Sequence, residues 1–369
     1  MTSLLNYSLQ AAFCGLFVLI FCLQRRTLDA YIALVVSFWT LSVVVIYAKY
    51  GLTQTSLYSN DQDVHLGILN FYLPREGVVF GFEETISRRY LVTLPVYYLS
   101  KIGLNGVLLL KFQQLIYLIL IYKFGRRFLE RNGVRAQWWH LLFFCGPIIV
   151  FMSTLALRDL AIGFFTLLLV LEPNPTTKIC GLVGTFLLRP HLAVALLIGY
   201  ATSRIYAHIR PRFYLVSVFF LTIAVYWFGT ISYFLGSAVQ TGTQIGSPVD
   251  VFTQYKFARL AANMLGIQFL TLDESVVDAS TLTLLLSRLI FIDTWLIPLL
   301  FLSLLVQQSK HFTHLRIQIY FGFIFFYGLT SQTSWNSSRQ NIPFLITMGL
   351  LTVVGIESRR KTATMELAS

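Results

Sequence analysis

Charge is what this sequence has least of: Asp, Glu, Lys and Arg make up 12% of its 369 residues, against 56% hydrophobic ones. With a mean hydropathy of +0.70, that composition excludes an ordinary soluble domain and points to a polytopic membrane protein. Acidic residues are the scarcer sign, 16 against 28 Lys and Arg, for a net charge of +12. The basic residues fall between apolar runs, where topology and anionic membrane lipid account for them, so no nucleic-acid partner is expected. Cysteine is sparse: Cys14, Cys22, Cys145 and Cys180 lie in apolar runs with no CxxC or Cys/His spacing. Neither a disulfide framework nor a metal site follows from them, and they are expected as small core residues. A GxGxxG or P-loop pattern is missing, as are internal repeats and any cytoplasmic stretch long enough to bind a nucleotide sugar. Chemistry here is expected to use a donor delivered through the membrane and no cofactor. No basic residue precedes the first apolar run, which is therefore expected to remain as a helix rather than be cleaved.

What is there is a series of apolar runs. A span needs about 20 apolar residues, and on that rule helices are expected near 4–23, 30–48, 104–122, 137–155, 160–172, 179–188, 191–203, 213–236, 286–306, 317–331 and 342–356. The fold class is thus all-α, a single transmembrane domain over 1–369 with eleven helices. Three of them, 160–172, 179–188 and 191–203, are too short to cross the hydrocarbon core and are expected to be tilted, to end inside the protein or to be partly re-entrant. Lys and Arg gather in alternate connections: Arg25 and Arg26; Lys123, Arg126, Arg127, Arg131 and Arg135; Lys178; Arg204, Arg210 and Arg212; Lys310 and Arg316; Arg359, Arg360 and Lys361. That face is cytoplasmic by the positive-inside rule, with the N-terminus outside and the C-terminus inside. His140, His208, His311 and His314 lie near those basic residues and are expected at the surface. Two long connections, 49–103 and 237–285, fall on the outer face and are expected to fold over the membrane surface. In the first, Val64, Ile68 and Phe71 follow helical spacing, which predicts an amphipathic helix lying on the membrane.

The charged positions inside this apolar chain are the candidate site. Arg158–Asp159 falls where two expected spans turn on the outer side: either a solvated ion pair, or an arginine fork for phosphate with Asp159 as its orienting group or base. Arg189-Pro190-His191 follows only ten apolar residues, which sets Arg189 below the outer surface. It is either a snorkelling side chain or a second cation at a depth similar to Arg158, completing an anion site with His191 beside it. Asp61, Asp63 and His65 form the best acid/base cluster, with Asp61 and His65 one helical turn apart; the bland alternative is an ordinary polar loop. Arg339, beside Trp335, suits sugar or headgroup binding as well as interfacial anchoring. Lys256 and Arg259 share a helical face in the second outer loop and are read chiefly as lipid-headgroup contacts.

The segments ALRDLAIGFF and LLRPHLAVALLIG, joined by a short turn, resemble the Arg-bearing core of bacterial polysaccharide polymerases of the Wzy and EpsG type. The run LPVYYLSKIGLNGVLLLKFQQLIYLILIYKFGRRF, the SNDQDVH loop before it and SSRQNIPFL near the end look like the broader GT-C class of polyprenyl-linked glycosyltransferases. The resemblance implies an inner-membrane enzyme that joins undecaprenyl-pyrophosphate-linked repeat units into O-antigen or a related polysaccharide on the periplasmic face. Its donor and acceptor are both lipid-linked glycans, and a chain-length regulator and a flippase are the implied partners. Arg158 and Arg189 then match the arginines that hold pyrophosphate, and Asp61 and Asp63 match the acidic first outer loop. Two alternatives stand beside it. One is a GT-C enzyme adding a single sugar from a polyprenyl phosphate, which the NYS and NSS triplets at Asn6 and Asn336 would suit. The other is a lipid-linked glycan transporter, disfavoured because the ionisable groups are read as gathering at one face rather than at the midplane.

Overall fold

The computed structural model describes residues 2–51, 59–78, 89–206, 300, 313–330 and 341–368. Every element among them is helical. Four helices, Ser3–Gln24, Ala30–Lys49, Gly106–Arg131 and Ile342–Lys361, are long and apolar enough to cross a membrane. The described residues up to Leu167 belong to one compact unit and those from Leu168 onward to a second.

The first unit is framed by α1 (Thr2–Gln24), α2 (Ala30–Tyr50) and α6 (Gly106–Arg131). Local chemistry fixes where they begin. The Asp29 carboxylate caps α2 by accepting from the Ile32 amide at 3.0 Å, and the Asn105 side chain caps α6 by accepting from the Val107 and Leu108 amides, satisfying donors that a helix start leaves open. Side-chain pairs then set the helices against one another. Tyr7 stacks on Tyr47 at 4.1 Å, Phe17 and Trp39 both meet Phe112, and Tyr31 meets Tyr122. The Tyr122 hydroxyl and the Arg126 guanidinium both donate to Asp29 Oδ2. Along α2 the contacts with α6 run from Asp29 to Trp39 while along α6 they run back from Arg126 to Phe112. The two helices are therefore antiparallel, and α1 runs with α6. Trp39 marks the middle of α2, nine residues in with eleven to follow, and there it meets Phe112 in the second turn of α6.

The segment expected as one span over 137–155 is broken instead. A 3₁₀ turn (Trp138–His140) leads into α7 (Leu141–Phe144), and after Cys145 and Gly146 comes α8 (Pro147–Met152). Pro147 explains the break, since it has no amide to donate and pushes Gly146 into an extended conformation, ψ 177. Tyr31 donates to the Cys145 carbonyl and Trp39 Nε1 to the Ser153 carbonyl at 2.9 Å. Eight residues separate each pair of anchors, about 12 Å of helix, so this limb climbs beside α2 only as far as its middle. It turns over Ser153–Arg158, and α9 (Asp159–Leu171) descends: Tyr117, five residues past Phe112 on α6, meets Phe164 and Phe165, five and six past Asp159. Residues 145–167 thus form a helical hairpin. Arg158–Asp159 lies at its tip, level with Trp39 in the middle of α2.

Where it is described, the connection 49–103 packs one helical face against the frame. Residues 59–76 are continuously helical: α3 (Ser59–Gly67), a π-helical turn (Ile68–Tyr72) and α4 (Leu73–Glu76). Its buried stripe is Gln62, His65, Leu69 and Leu73, joined by Ile68, whereas Val64 and Phe71 are exposed. The expected Val64–Ile68–Phe71 face is therefore not the one that packs. Leu69 lies against Gly106 at the start of α6, and seven residues away the Gln62 carboxamide oxygen accepts from the Ala156 amide at 3.1 Å. About 10 Å of helix leads from the end of the frame down to the hairpin tip, so α3 plunges inward. A short α5 (Tyr90–Ser100) then pairs with α6 through the turn at Gly103, φ 90.

The second unit holds α10 (Pro175–Leu188), α11 (Pro190–Tyr206), α12 (Thr313–Thr330) and α13 (Ile342–Ala368). With α9 these include the three short helices expected from the sequence, of 13, 14 and 17 residues. Glycines bring α11 and α12 into backbone contact: a Cβ on Gly199 would run into the Gln318 carbonyl and lie 2.8 Å from the Gly322 nitrogen. Phe323, Phe326 and Phe344 join α12 to α13. The expected helix over 213–236, nearly all of 286–306 and the loop 237–285 lie outside the described residues. Two surface expectations fail. His140 is fully buried, its ring nitrogen accepting from the Gln137 amide at 3.0 Å, and Cys180 is exposed while the other three cysteines are buried.

Candidate functional site

The first unit carries a polar junction where α3, descending from one end of the frame, meets the hairpin rising from the other. Gln62 fixes the meeting point by its bond to Ala156, two residues before Arg158. His65 stands one turn further along α3 and is 1% exposed; Asp159, opening α9, is 3% exposed. Arg158 is half-buried. Asp61 and Asp63 take backbone positions in the same turn of α3, and their side chains lie outside the described part of the structure. The Gln62–Ala156 hydrogen bond, between residues 94 apart in the chain, thus joins the acidic turn of α3 to the hairpin that carries the Arg–Asp pivot. Ser153 and Thr154 spend their hydroxyls on the Val150 and Phe151 carbonyls at the end of α8.

Several buried polar side chains here were not singled out from the sequence. Gln62, Gln114 and Lys111 are fully buried, and Arg89, opening α5, is 7% exposed. Lys111 had a signal: it is a lone charge in the apolar run GVLLLKFQQLIYLILIY, and an ionisable residue within a span is a functional candidate by default. Averaging hydropathy over the run concealed it. Lys111 lies in the second turn of α6, next to Phe112.

In the second unit Arg189 closes α10, its amide donating to the Thr185 carbonyl at 2.7 Å and its carbonyl accepting from Leu192 and Ala193. Its side chain is 7% exposed. Pro190 starts α11 as a first-turn proline, where no amide is needed, and the His191 ring stacks on Phe326 at 5.7 Å. Arg189 thus sits buried at the joint between α10 and α11. Arg339, Lys256 and Arg259 lie outside the described residues.

Chemically, a buried carboxylate, an imidazole and an arginine at one junction provide groups for proton transfer and for holding an anion. No protein-family model, curated protein or solved structure matches the chain.

Proposed function

We propose that the chain is an inner-membrane glycosyltransferase, GT-C-like in plan, that polymerises undecaprenyl-pyrophosphate-linked oligosaccharide repeat units. The observation that carries this reading is the Gln62–Ala156 hydrogen bond, because it brings the Asp61/Asp63/His65 turn to the Arg158–Asp159 tip. In the reaction a hydroxyl of the acceptor glycan attacks the anomeric carbon of the donor. The bond from that carbon to the pyrophosphate oxygen breaks and its electron pair leaves with undecaprenyl pyrophosphate. The hydroxyl proton passes to Asp61, Asp63, His65 or Asp159, and Arg158 offsets the charge developing on the leaving group. The basic ends of α1 and α6, with Arg25, Arg26, Arg126, Arg127 and Arg131, favour a cytoplasmic location for that end, so α3 would enter from the periplasm. Purified protein in lipid, given the pyrophosphate-linked oligosaccharide without nucleotide sugar, is expected to yield a ladder of products at repeat-unit spacing. Addition of one sugar from a polyprenyl-phosphate donor, with no ladder, would replace the polymerase by a single-transfer enzyme.

A second reading is favoured by one observation: half-helices that meet at mid-frame from opposite ends are how many transporters build a central site. A carrier of lipid-linked glycans would move a labelled substrate between leaflets of a proteoliposome and leave its size unchanged. A ladder without such movement dismisses the carrier.

A further inference from the structure

Lys111 is the charge that the transfer scheme leaves unused. It is fully buried, and among the described residues its ammonium has no hydrogen-bond partner; nor does either polar atom of Gln114, one turn on, or the Gln113 carboxamide oxygen. A snorkelling lysine ends in the open, whereas this one exposes none of its surface. An unpartnered ammonium at that depth costs several kcal/mol, and a helix start five residues away offers it no anion.

Helical geometry shows what it faces. Lys111, Gln114, Leu118, Tyr122 and Gly125 follow one another at spacings of three and four, so they form one stripe of α6. The lower end of that stripe is against the hairpin's rising limb: Tyr122 meets Tyr31, which donates to the Cys145 carbonyl, and a Cβ on Gly125 would enter the Phe144 ring. Eight residues further up the limb Ser153 has reached the level of Phe112 through Trp39. The upper end of the stripe, Lys111 with Gln114, is therefore across from the tip that carries Arg158.

We propose that Lys111 and Gln114 form a phosphate-binding subsite on α6, facing the hairpin tip. Lysine supplies a compact positive charge with three donors, and the carboxamide adds two donors and an acceptor for a hydroxyl beside the phosphate. The subsite deepens the reading of the junction as a transfer centre, yet binding at it is measured without any transfer, so the two fail separately.

The test is thermal unfolding of the purified full chain in a maltoside detergent, which carries no phosphate. The probes are inorganic phosphate, decaprenyl phosphate and, as neutral control, decaprenol. Either phosphate probe is expected to raise the midpoint of the native chain by about 3 °C or more, and decaprenol to leave it unchanged. A shift with inorganic phosphate alone assigns the subsite to free phosphate; a shift with the lipid alone assigns it to a lipid-linked ligand. Lys111→Met is expected to abolish the shift while melting no lower than the native chain without ligand, because an uncompensated charge has gone; Lys111→Arg is expected to keep it. Gln114→Leu should at least halve it, and serves should Lys111→Met not fold. An equal shift in the native chain and the variants, or none in the native chain with either phosphate, overturns the proposal.

Discussion

Gly199→Val is expected to leave no folded second unit. The atom that a side chain at 199 would strike first is the Gln318 carbonyl oxygen, followed by the Gly322 nitrogen at 2.8 Å and the Gln318 carbonyl carbon at 3.2 Å. All three are backbone, so no rotamer change relieves the clash and α11 and α12 must separate. Gly199→Ala, with one carbon to accommodate, should cost about 3 kcal/mol, a fall of about 10 °C in midpoint for a unit of this size. Gly322→Ala is the internal control. Its Cβ would meet the Leu196 Cδ2 at 2.9 Å, the far end of a side chain that can turn aside. Gaining about 1 kcal/mol of helix preference over glycine, this variant should lie within about 1 kcal/mol of the native chain. Thermal unfolding of the three variants, with size-exclusion profiles, decides it; equal effects at 199 and 322 would sink the backbone-contact account.

Arg158→Ala is expected to slow chain growth by about 10²–10³-fold, the usual loss when one preorganised donor to a developing oxyanion is removed. Arg158→Lys should recover only part of that, since an ammonium keeps the charge and loses the planar fork. The measurement is the rate of ladder formation at matched amounts of folded protein. Arg158 suits this test better than Arg189, because a half-buried side chain at a turn is removed with little structural cost. Arg189 is 7% exposed, and its loss disturbs packing at the α10–α11 joint as well as any ligand. Unchanged polymer length and yield in Arg158→Ala and in Arg189→Ala would remove the arginine-based site altogether.

Helical class and the shortness of α9, α10 and α11 were legible because they depend on the length of apolar runs, a local property. The depth of Arg158 was not. The apolar run over 137–155 reads as one full span unless the Gly146-Pro147 breaker between Cys145 and Ile148 is given its weight, and that dipeptide cuts the run into pieces too short to cross. The plunge of α3 had no local signal at all. A helix containing Ser59, Asn60, Asp61, Gln62, Asp63 and His65 reads as a surface element. What draws it inward is a backbone amide far along the chain, together with burial of Leu69 and Leu73. The Arg–acid convergence was readable only as chemistry, by asking which groups a lipid-linked donor would need.

The Gln62–Ala156 bond also sets a schedule. With 94 residues between its partners, and elongation at about 5–20 residues per second, α3 leaves the ribosome about 5–20 s before the backbone that holds it exists. During that interval its buried polar face has nothing to pair with, and a helix of that composition waits at the membrane surface while the frame assembles. Depth at this site is therefore expected to be acquired late in biosynthesis, by capture rather than insertion. In His65→Cys chains stalled after residue 135, a water-soluble thiol reagent should label position 65, and stalling after residue 206 should protect it. Protection already at the first stall would mean that α3 enters alone.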